Sequence, residues 1–541
     1  MSRSDPSITR SRSSEQTEVE SMSNRTTAAT LEYHEATKHS QQSVRASRHF
    51  LDFDNQPLAF KLYRDLEAIP LPQSFPGNDL PALEGISPAV AAPTAPGGDE
   101  QTPDLATLSR ILYLSAGITK RKRHAGGEIL FRAYPNTGAL HHIDLYVVTA
   151  ELPGLSAGVY HFGPHDFALR KLREGDYRAV LVEASGRSPD LVHAPVIIAS
   201  ASTYWRNAWK YQARAYRHCF WDGGTLHANL LAAAGSAQLE PRLVMGFADR
   251  AVEQLLGLDP EREGAIALVA MGRRGQPAPP APRVSELRLE IEPLSRSEVD
   301  YPAIRAQHAA SCLEDGAEAD CWRDPAPVRE EPVATGSLHP LRPMAEPEVP
   351  REPLDTVIRR RGSTRAFDVT RSLSFEELST LLDRATRGVA CDFLESASAS
   401  LLDLYLIVHA VEGLTPGAYY YRRRDACLEL LRAGSFREAA GRLGLGQQLP
   451  ADAALNVYSL SDLSSVLARF GNRGYRAAQL EGGITGGRLY LAAYAQRFGA
   501  SGLTFFDDEV TEFFSPHAAG KSVMFLVALG HADRAALGLT L

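Results

Sequence analysis

Short β-branched apolar runs alternate along this chain with longer apolar stretches, and the alternation predicts its elements. Asp144 to Ala150, Ala265 to Met271 and Val523 to Leu529 have the length and composition of buried strands. Thr225 to Gly235 is apolar over the length of a helix and predicts a buried one. Thr102-Pro103 places a hydroxyl N-cap before a first-turn proline and predicts a helix through Ser115. Ser374-x-x-Glu377 ahead of Leu378 is a capping box that opens a second such helix. Another helix is expected near Tyr301 to Glu314. Helices interleaved with few strands indicate an α+β class.

The pattern is written twice. Lys210-Tyr-Gln-Ala-Arg214-Ala-Tyr216-Arg217, running to Asp222-Gly223-Gly224, returns as Arg469-Phe-Gly-Asn-Arg473-Gly-Tyr475-Arg476, running to Glu481-Gly482-Gly483. The offset of 259 also maps Asp144-Leu145-Tyr146 onto Asp403-Leu404-Tyr405, Leu155-x-x-Gly158-x-Tyr160 onto Leu414-x-x-Gly417-x-Tyr419, and Asp166 onto Asp425. Solenoid repeats are far shorter than this, so the two copies are two domains. Features kept in both, such as Arg214/Arg473, Tyr216/Tyr475 and the paired glycines, point to upkeep of the fold. Features kept in one copy point to chemistry.

The boundaries follow composition. Residues 1–32 read as a disordered tail rich in Ser, Thr, Arg and Glu. Residues 33–101 form an extended arm carrying Tyr33, Phe50, Phe53, Phe60 and Tyr63, then several prolines, and end in a low-complexity Ala/Pro/Gly loop from residue 87. The first domain spans 102–273, a Pro- and Glu-rich linker 274–353, and the second domain 354–541.

A net charge of -8 argues against a general nucleic-acid binder. Five cysteines without Cys-x-x-Cys or zinc spacing imply no metal site and fit reduced thiols in a cytoplasm. No 18-residue apolar run exists, so no membrane span is expected.

Three segments carry candidate chemistry. In Arg359-Arg360-Arg361-Gly362-Ser363-Thr364-Arg365-Ala366-Phe367, two guanidiniums bracket a small hydroxyl. Forked donors converging on one side suit a phosphate dianion, although a basic surface turn has the same composition. In Arg132-Ala-Tyr-Pro135-Asn136-Thr137-Gly138-Ala139-Leu140-His141, Pro and Gly around two small polar residues allow backbone to approach a flat ligand; a plain hairpin turn is the alternative. Lys210-Tyr211 pairs a cation with a phenol. Either could accept a proton if burial or the neighbouring charge tunes it, and the alternative is a surface lysine beside a core aromatic. The copies are complementary: the first half has only Ala91-Ala92-Pro93-Thr94-Ala95-Pro96 ahead of its helix. The second has Leu394 to Ala399 for the loop and Arg469-Phe470 for the pair.

The Arg361 segment, followed by a capped helix, resembles the phosphate-binding segment of flavin-dependent nitroreductase-fold proteins, and the Pro135 loop resembles their Pro-Ser-Ala-Gly-type loop. In that family each FMN lies between two subunits. The resemblance therefore implies two fused nitroreductase-like domains forming an intrachain pseudo-dimer with one FMN. Arg361, Gly362, Ser363 and Arg365 would hold it from the second half, and Pro135, Asn136, Thr137 and Gly138 from the first. Gly246-Phe247 and Phe505-Phe506 match in register where the fold lays backbone along the flavin ring, and the same-domain strip with Thr504 and Phe505 is preferred. Lys521 would add a cation near the phosphate.

Lys210-Tyr211, Tyr33-His34-Glu35-Ala36-x-Lys38-His39 and Gly158-Val159-Tyr160-His161 resemble the SagB-type and ThcOx-type dehydrogenases, which oxidise azolines in ribosomal peptides. That resemblance implies a catalytic Lys210 and Tyr211, a small-molecule or modified-peptide substrate, and partners in a peptide-maturation complex. The alternatives are a generic NAD(P)H-dependent nitro- or quinone reductase, or a non-catalytic flavin-binding scaffold.

Overall fold

A computed structural model describes residues 24–86, 100–124 and 127–533. The 1–23 stretch and the Ala91 to Pro96 segment lie outside them. The strands are β1 (Ala68–Pro70), the hairpin β2 (Ile118–His124) and β3 (Gly127–Arg132), β4 (Ile143–Thr149), β5 (Gly158–Gly163), β6 (Ala168–Glu174), β7 (Val196–Thr203), β8 (Arg242–Val244) and β9 (Glu263–Met271) in the first half. The second half has β10 (Ser337–Pro340), β11 (Asp403–Val408), β12 (Gly417–Arg422), β13 (Cys427–Ala433), β14 (Leu455–Ser461), β15 (Gly499–Gly502) and β16 (Ser522–Gly530).

Each half builds one seven-stranded antiparallel sheet, in the orders β1-β6-β5-β4-β7-β9-β8 and β10-β13-β12-β11-β14-β16-β15. Position for position the two orders are the same. Even the irregularities repeat: bulges at Val159/Tyr160 and Ser200/Ala201 recur at Ala418/Tyr419 and Ser459/Leu460. Strands β7 and β14 are buried at every residue, although each carries polar residues, Ser200 and Ser202 in β7 and Asn456 and Ser459 in β14.

The helices that matter below are α1 (Ala28–Ala36), α2 (Leu105–Ala116), α3 (Tyr204–Tyr211), α4 (Ala215–Ser236), α5 (Asp249–Leu256), α6 (Pro302–Ala310), α7 (Gly316–Trp322), α8 (Leu354–Arg360), α9 (Phe375–Ala385), α10 (Asn472–Ala495) and α11 (Asp507–Phe514). The Ser374/Glu377 capping box forms as expected at the start of α9. The cap of α2 differs: Asp104, not Thr102, accepts from the Thr107 amide at 2.8 Å, because a carboxylate two residues downstream is the better acceptor for first-turn N–H groups. Helix α1 begins inside the stretch expected to be tail. Among the described residues, no helix is long and apolar enough to cross a membrane.

The halves meet along α4 and α10, which cross at their glycine pairs. A Cβ on Gly224 would lie 2.4 Å from Leu480 O and 2.6 Å from Gly483 Cα, and one on Gly483 would lie 2.4 Å from Trp221 O. Only glycine fits there.

The crossing carries each helix's Arg-x-x-Arg to the opposite half. Arg214 and Arg217 reach Asp507 at 2.9 and 2.6 Å, and Arg473 and Arg476 reach Asp249 at 2.6 Å each. Both aspartates stand in the first turn of a helix, where negative charge is favoured. The arm and the linker match as well. Arg217 donates to His34 O (2.7 Å) and Thr37 Oγ1 (3.0 Å), and Arg476 to His308 O (2.8 Å) and Ser311 Oγ (2.8 Å). The repeat therefore takes in α1 and β1 on one side and α6 and β10 on the other.

Burial alone would raise the Asp249 carboxyl, but Arg473 and Arg476 hold it down to about 2. A depressed carboxylate stabilises the fold above its unfolded pKa of roughly 3.9, and that contribution disappears as pH falls through the folded value. Acid unfolding should therefore steepen between about pH 4 and pH 2. Asp249→Asn, which leaves two buried guanidiniums unpaired, should cost about 3–5 kcal/mol in equilibrium urea unfolding at pH 7.

Candidate functional site

Arg361 leaves the end of α8 with extended backbone dihedrals, so the residues after it run alongside the sheet rather than continuing the helix. The Thr364 amide donates to Ala500 O at 2.9 Å and ties this segment to β15. Ser363 Oγ lies 3.2 Å from the Tyr490 hydroxyl, which also accepts the Gly502 N–H. The Arg361 guanidinium crosses to the first half: Nη2 donates to Arg132 O at 3.0 Å and Nε to Ala133 O at 3.2 Å, and the group lies 5.8 Å from the Tyr490 ring centroid. Of the basic segment, Arg361 turns inward toward the residues just ahead of the Pro135 loop, while Arg359 and Arg360 are exposed. Gly362 has only the Tyr494 hydroxyl, at 3.5 Å from a Cβ built there, and Arg365 is exposed.

Arg361 is buried, and among the described residues no carboxylate lies within ion-pairing distance of it. Burial pushes its pKa down, and only the Tyr490 and Tyr494 hydroxyls oppose the shift. A desolvated cation held by carbonyls alone is costly until an anion joins it. Nearby, Thr504 Oγ1 is buried without a hydrogen-bond partner. Both features fit a phosphorylated, hydrogen-bonding cofactor.

The facing loop is held by one acid. Asp222 accepts from Asn136 Nδ2 (3.0 Å), the Thr137 amide (2.9 Å) and Thr137 Oγ1 (2.6 Å), and lies 2.8 Å from His142 Nε2. Thr225 Oγ1 donates to Pro135 O at 2.6 Å. Gly138 sits at φ +64°, and a Cβ there would lie 2.9 Å from the Tyr211 hydroxyl, so geometry and space both require glycine. The second half repeats the device, with Glu481 accepting from Ser400 Oγ (2.5 Å) and the Leu401 amide (2.9 Å). The repeat aligns Asp222 with Glu481 in the sequence, but their hold on the loop shows only in the structure.

Tyr211 ends α3 beside Gly138. Its ring meets His218 edge-on at 4.5 Å, His218 stacks on Trp221 at 4.8 Å, and Trp221 packs on Phe505 at 5.7 Å. This stack runs from the first half's pair to the second half's strip. Burial, then the Asp222 carboxylate, pushes the Tyr211 phenol well up, so it stays protonated at ordinary pH. The lowered tyrosine pKa that would make it a base is not what this environment produces. Lys210 Nζ lies 5.4 Å from the Tyr211 ring centroid.

Two expectations are corrected. Lys521 ion-pairs with Asp403 at 2.9 Å and donates to the Tyr405 hydroxyl at 2.8 Å, on the far strands of its own sheet rather than with Arg361. Phe247 corresponds to Phe505, not Phe506. Arg473 lies 4.5 Å from the Phe247 ring centroid, and Arg214 lies 5.3 Å from that of Phe505. Gly246 is therefore the counterpart of Thr504.

At that counterpart the space is filled. A Cβ on Gly246 would lie 2.9 Å from Arg323 Cγ and 3.1 Å from Ala319 O and Asp392 Oδ2. Asp392 also accepts the Met245 and Gly246 amides, at 2.9 and 2.8 Å. The linker helix α7 and Asp392 thus fill the space beside Gly246, whereas at its counterpart Thr504 a side-chain hydroxyl is buried without a hydrogen-bond partner.

Residues 99–273 and 358–531 each match the Nitroreductase family. The chain belongs to the nitroreductase family. A crystal structure of a nitroreductase-like protein from Anabaena variabilis superposes with a TM-score of 0.73 at 28% identity, covering 93% of this chain and 99% of that one. The trifolitoxin-processing protein TfxB of Rhizobium leguminosarum bv. trifolii is 31% identical over 214 residues, 37% of this chain and 57% of TfxB, so the similarity spans little more than half of that relative. A protein of Methanocaldococcus jannaschii provisionally named a nitroreductase is 24% identical over 170 residues, 31% of this chain and 81% of its own length.

Asp222→Ala should release the loop. Losing charge-assisted hydrogen bonds worth about 1.5–3 kcal/mol should raise amide hydrogen exchange at Thr137 roughly 10- to 100-fold. Unchanged protection there would show that the loop holds itself.

Proposed function

We propose that this chain is an FMN-dependent oxidoreductase with one cofactor site, shared between its halves. Arg361, Gly362, Ser363, Arg365, Thr504 and Phe505 would hold FMN from the second half, and Pro135 to Gly138 from the first. The observation that carries this reading is a buried Arg361 without a carboxylate partner in the same half as Thr504, whose buried hydroxyl is unpartnered, while Asp392 and the linker helix fill the counterpart at Gly246. Bound FMN supplies a two-electron acceptor, the flavin dependence that is general in this family.

The proposed substrate is an azoline-type heterocycle in a peptide or related small molecule. Two things support it: the Lys210-Tyr211 pair beside the loop, and the similarity to a relative named for processing a peptide toxin. Aromatising an azoline requires loss of a proton as well as a hydride. Tyr211, kept protonated by burial and Asp222, can donate a hydrogen bond to the substrate but is a poor acceptor. That leaves Lys210 as the proposed proton acceptor. Its place in a maturation complex belongs to the same proposal.

A second reading is a generic NAD(P)H-dependent reductase. The raised Tyr211 phenol favours it to the extent that such chemistry needs no protein base. Rapid anaerobic bleaching of the flavin by NAD(P)H, without turnover of an azoline peptide, would establish that reading instead.

Lys210→Met should retain flavin and lower turnover of a thiazoline-bearing peptide by ~100- to 10,000-fold, the usual range for a lost general base. Turnover equal to wild type in Lys210→Met would remove the assignment.

A further inference from the structure

A second cavity lies in the other half, away from the site above. In the first half, residues 117–142 between α2 and β4 build the β2–β3 hairpin and the loop held by Asp222. Asn229 on α4 secures this stretch by donating to Leu114 O (3.0 Å) and Ala133 O (2.8 Å). In the second half only residues 386–402 span the interval from α9 to β11, and no hairpin forms there. The volume left beside α10 is a cavity of about 250 Å³.

Its lining is what a changed function would leave. At the position of Asn229 stands Arg488, which is buried, lines the cavity and donates to Gly388 O. Arg423 lies across from it and donates only to carbonyls: Thr386 O, Ala397 O (2.8 Å) and Ala399 O (3.3 Å). Among the described residues, neither guanidinium has a carboxylate within ion-pairing distance. Burial, then Arg423, pushes Arg488 down to about 10, the mark of a cation short of counter-charge. Glu481, the nearest acid on the same helix, is already committed to Ser400 and Leu401.

Val389, Leu402, Leu404 and Tyr421 give the lining an apolar part; of its other charges, Arg329 and Lys521 pair with Asp403, and Glu331 and Asp462 add negative charge. The acids disfavour a multiply charged ligand, and the walls favour a hydrocarbon body. We propose that this cavity is a second ligand site, taking a small organic monoanion whose carboxylate is held by Arg488 and Arg423. Forked guanidinium donors suit a planar carboxylate. The proposal stands independently of the flavin reading.

Calorimetric titration of the full chain with benzoate, benzamide and inorganic phosphate tests it, with flavin content recorded in parallel. Benzoate is expected to bind one site. Arg488→Asn, which installs the residue the first half carries there, and Arg488→Lys, which keeps charge but loses the fork, should each weaken binding by roughly tenfold or more. Flavin content should not change. No benzoate binding at about 10 mM, a weak millimolar-range limit, would overturn the proposal. So would benzamide or phosphate binding as tightly as benzoate, or affinity unaltered in both variants.

Discussion

Two long helices approach closely enough for backbone to touch backbone only where side chains are absent, and the contact between Gly224 and Gly483 is such a place. Glycine inside a helix costs roughly 0.5–1 kcal/mol relative to alanine. Here that cost is offset by a crossing that positions nearly everything else. It aims the Arg214/Arg217 and Arg473/Arg476 pairs at Asp507 and Asp249 across the interface. It also brings the Arg361 segment of one half against the Arg132–Ala133 carbonyls of the other. The cofactor site proposed above, shared between halves, would be a consequence of that packing.

The scaffold is symmetric and the sites are not. Strand order, bulges, interface aspartates and loop-holding acids all occur twice. Divergence is confined to what lies around them. The first half kept a hairpin and a glycine-containing loop beside Tyr211; the second kept the basic segment after α8. Helix α7 and Asp392 then occupied the position that symmetry would have left open. The crossing glycines and the interface aspartates are kept in both halves although Asp222, one residue before Gly223, holds a loop that only the first half has.

Much of this was legible in the sequence. The constant offset revealed the duplication, the Ser374/Glu377 box marked its helix, and of the one-sided motifs the structure brings Arg361 to the Arg132 and Ala133 carbonyls ahead of the Pro135 loop. The match between arm and linker was not legible. His34/Thr37 and His308/Ser311 are related by 274 positions rather than 259, and they contribute backbone carbonyls and small hydroxyls that no motif records. Lys521 misled because a lysine at a strand start looks the same whether it meets a phosphate or, as here, Asp403. The closure at Gly246 depends on linker packing, which low-complexity sequence does not announce.

The molar ratio of FMN to polypeptide, measured from the visible spectrum and released cofactor of the purified chain, tests the central claim most directly. A ratio near one, falling sharply in Arg361→Ala, is the predicted result. Two flavins per chain, or one flavin retained undiminished in Arg361→Ala, would contradict a single site gripped by the second half and walled by the first.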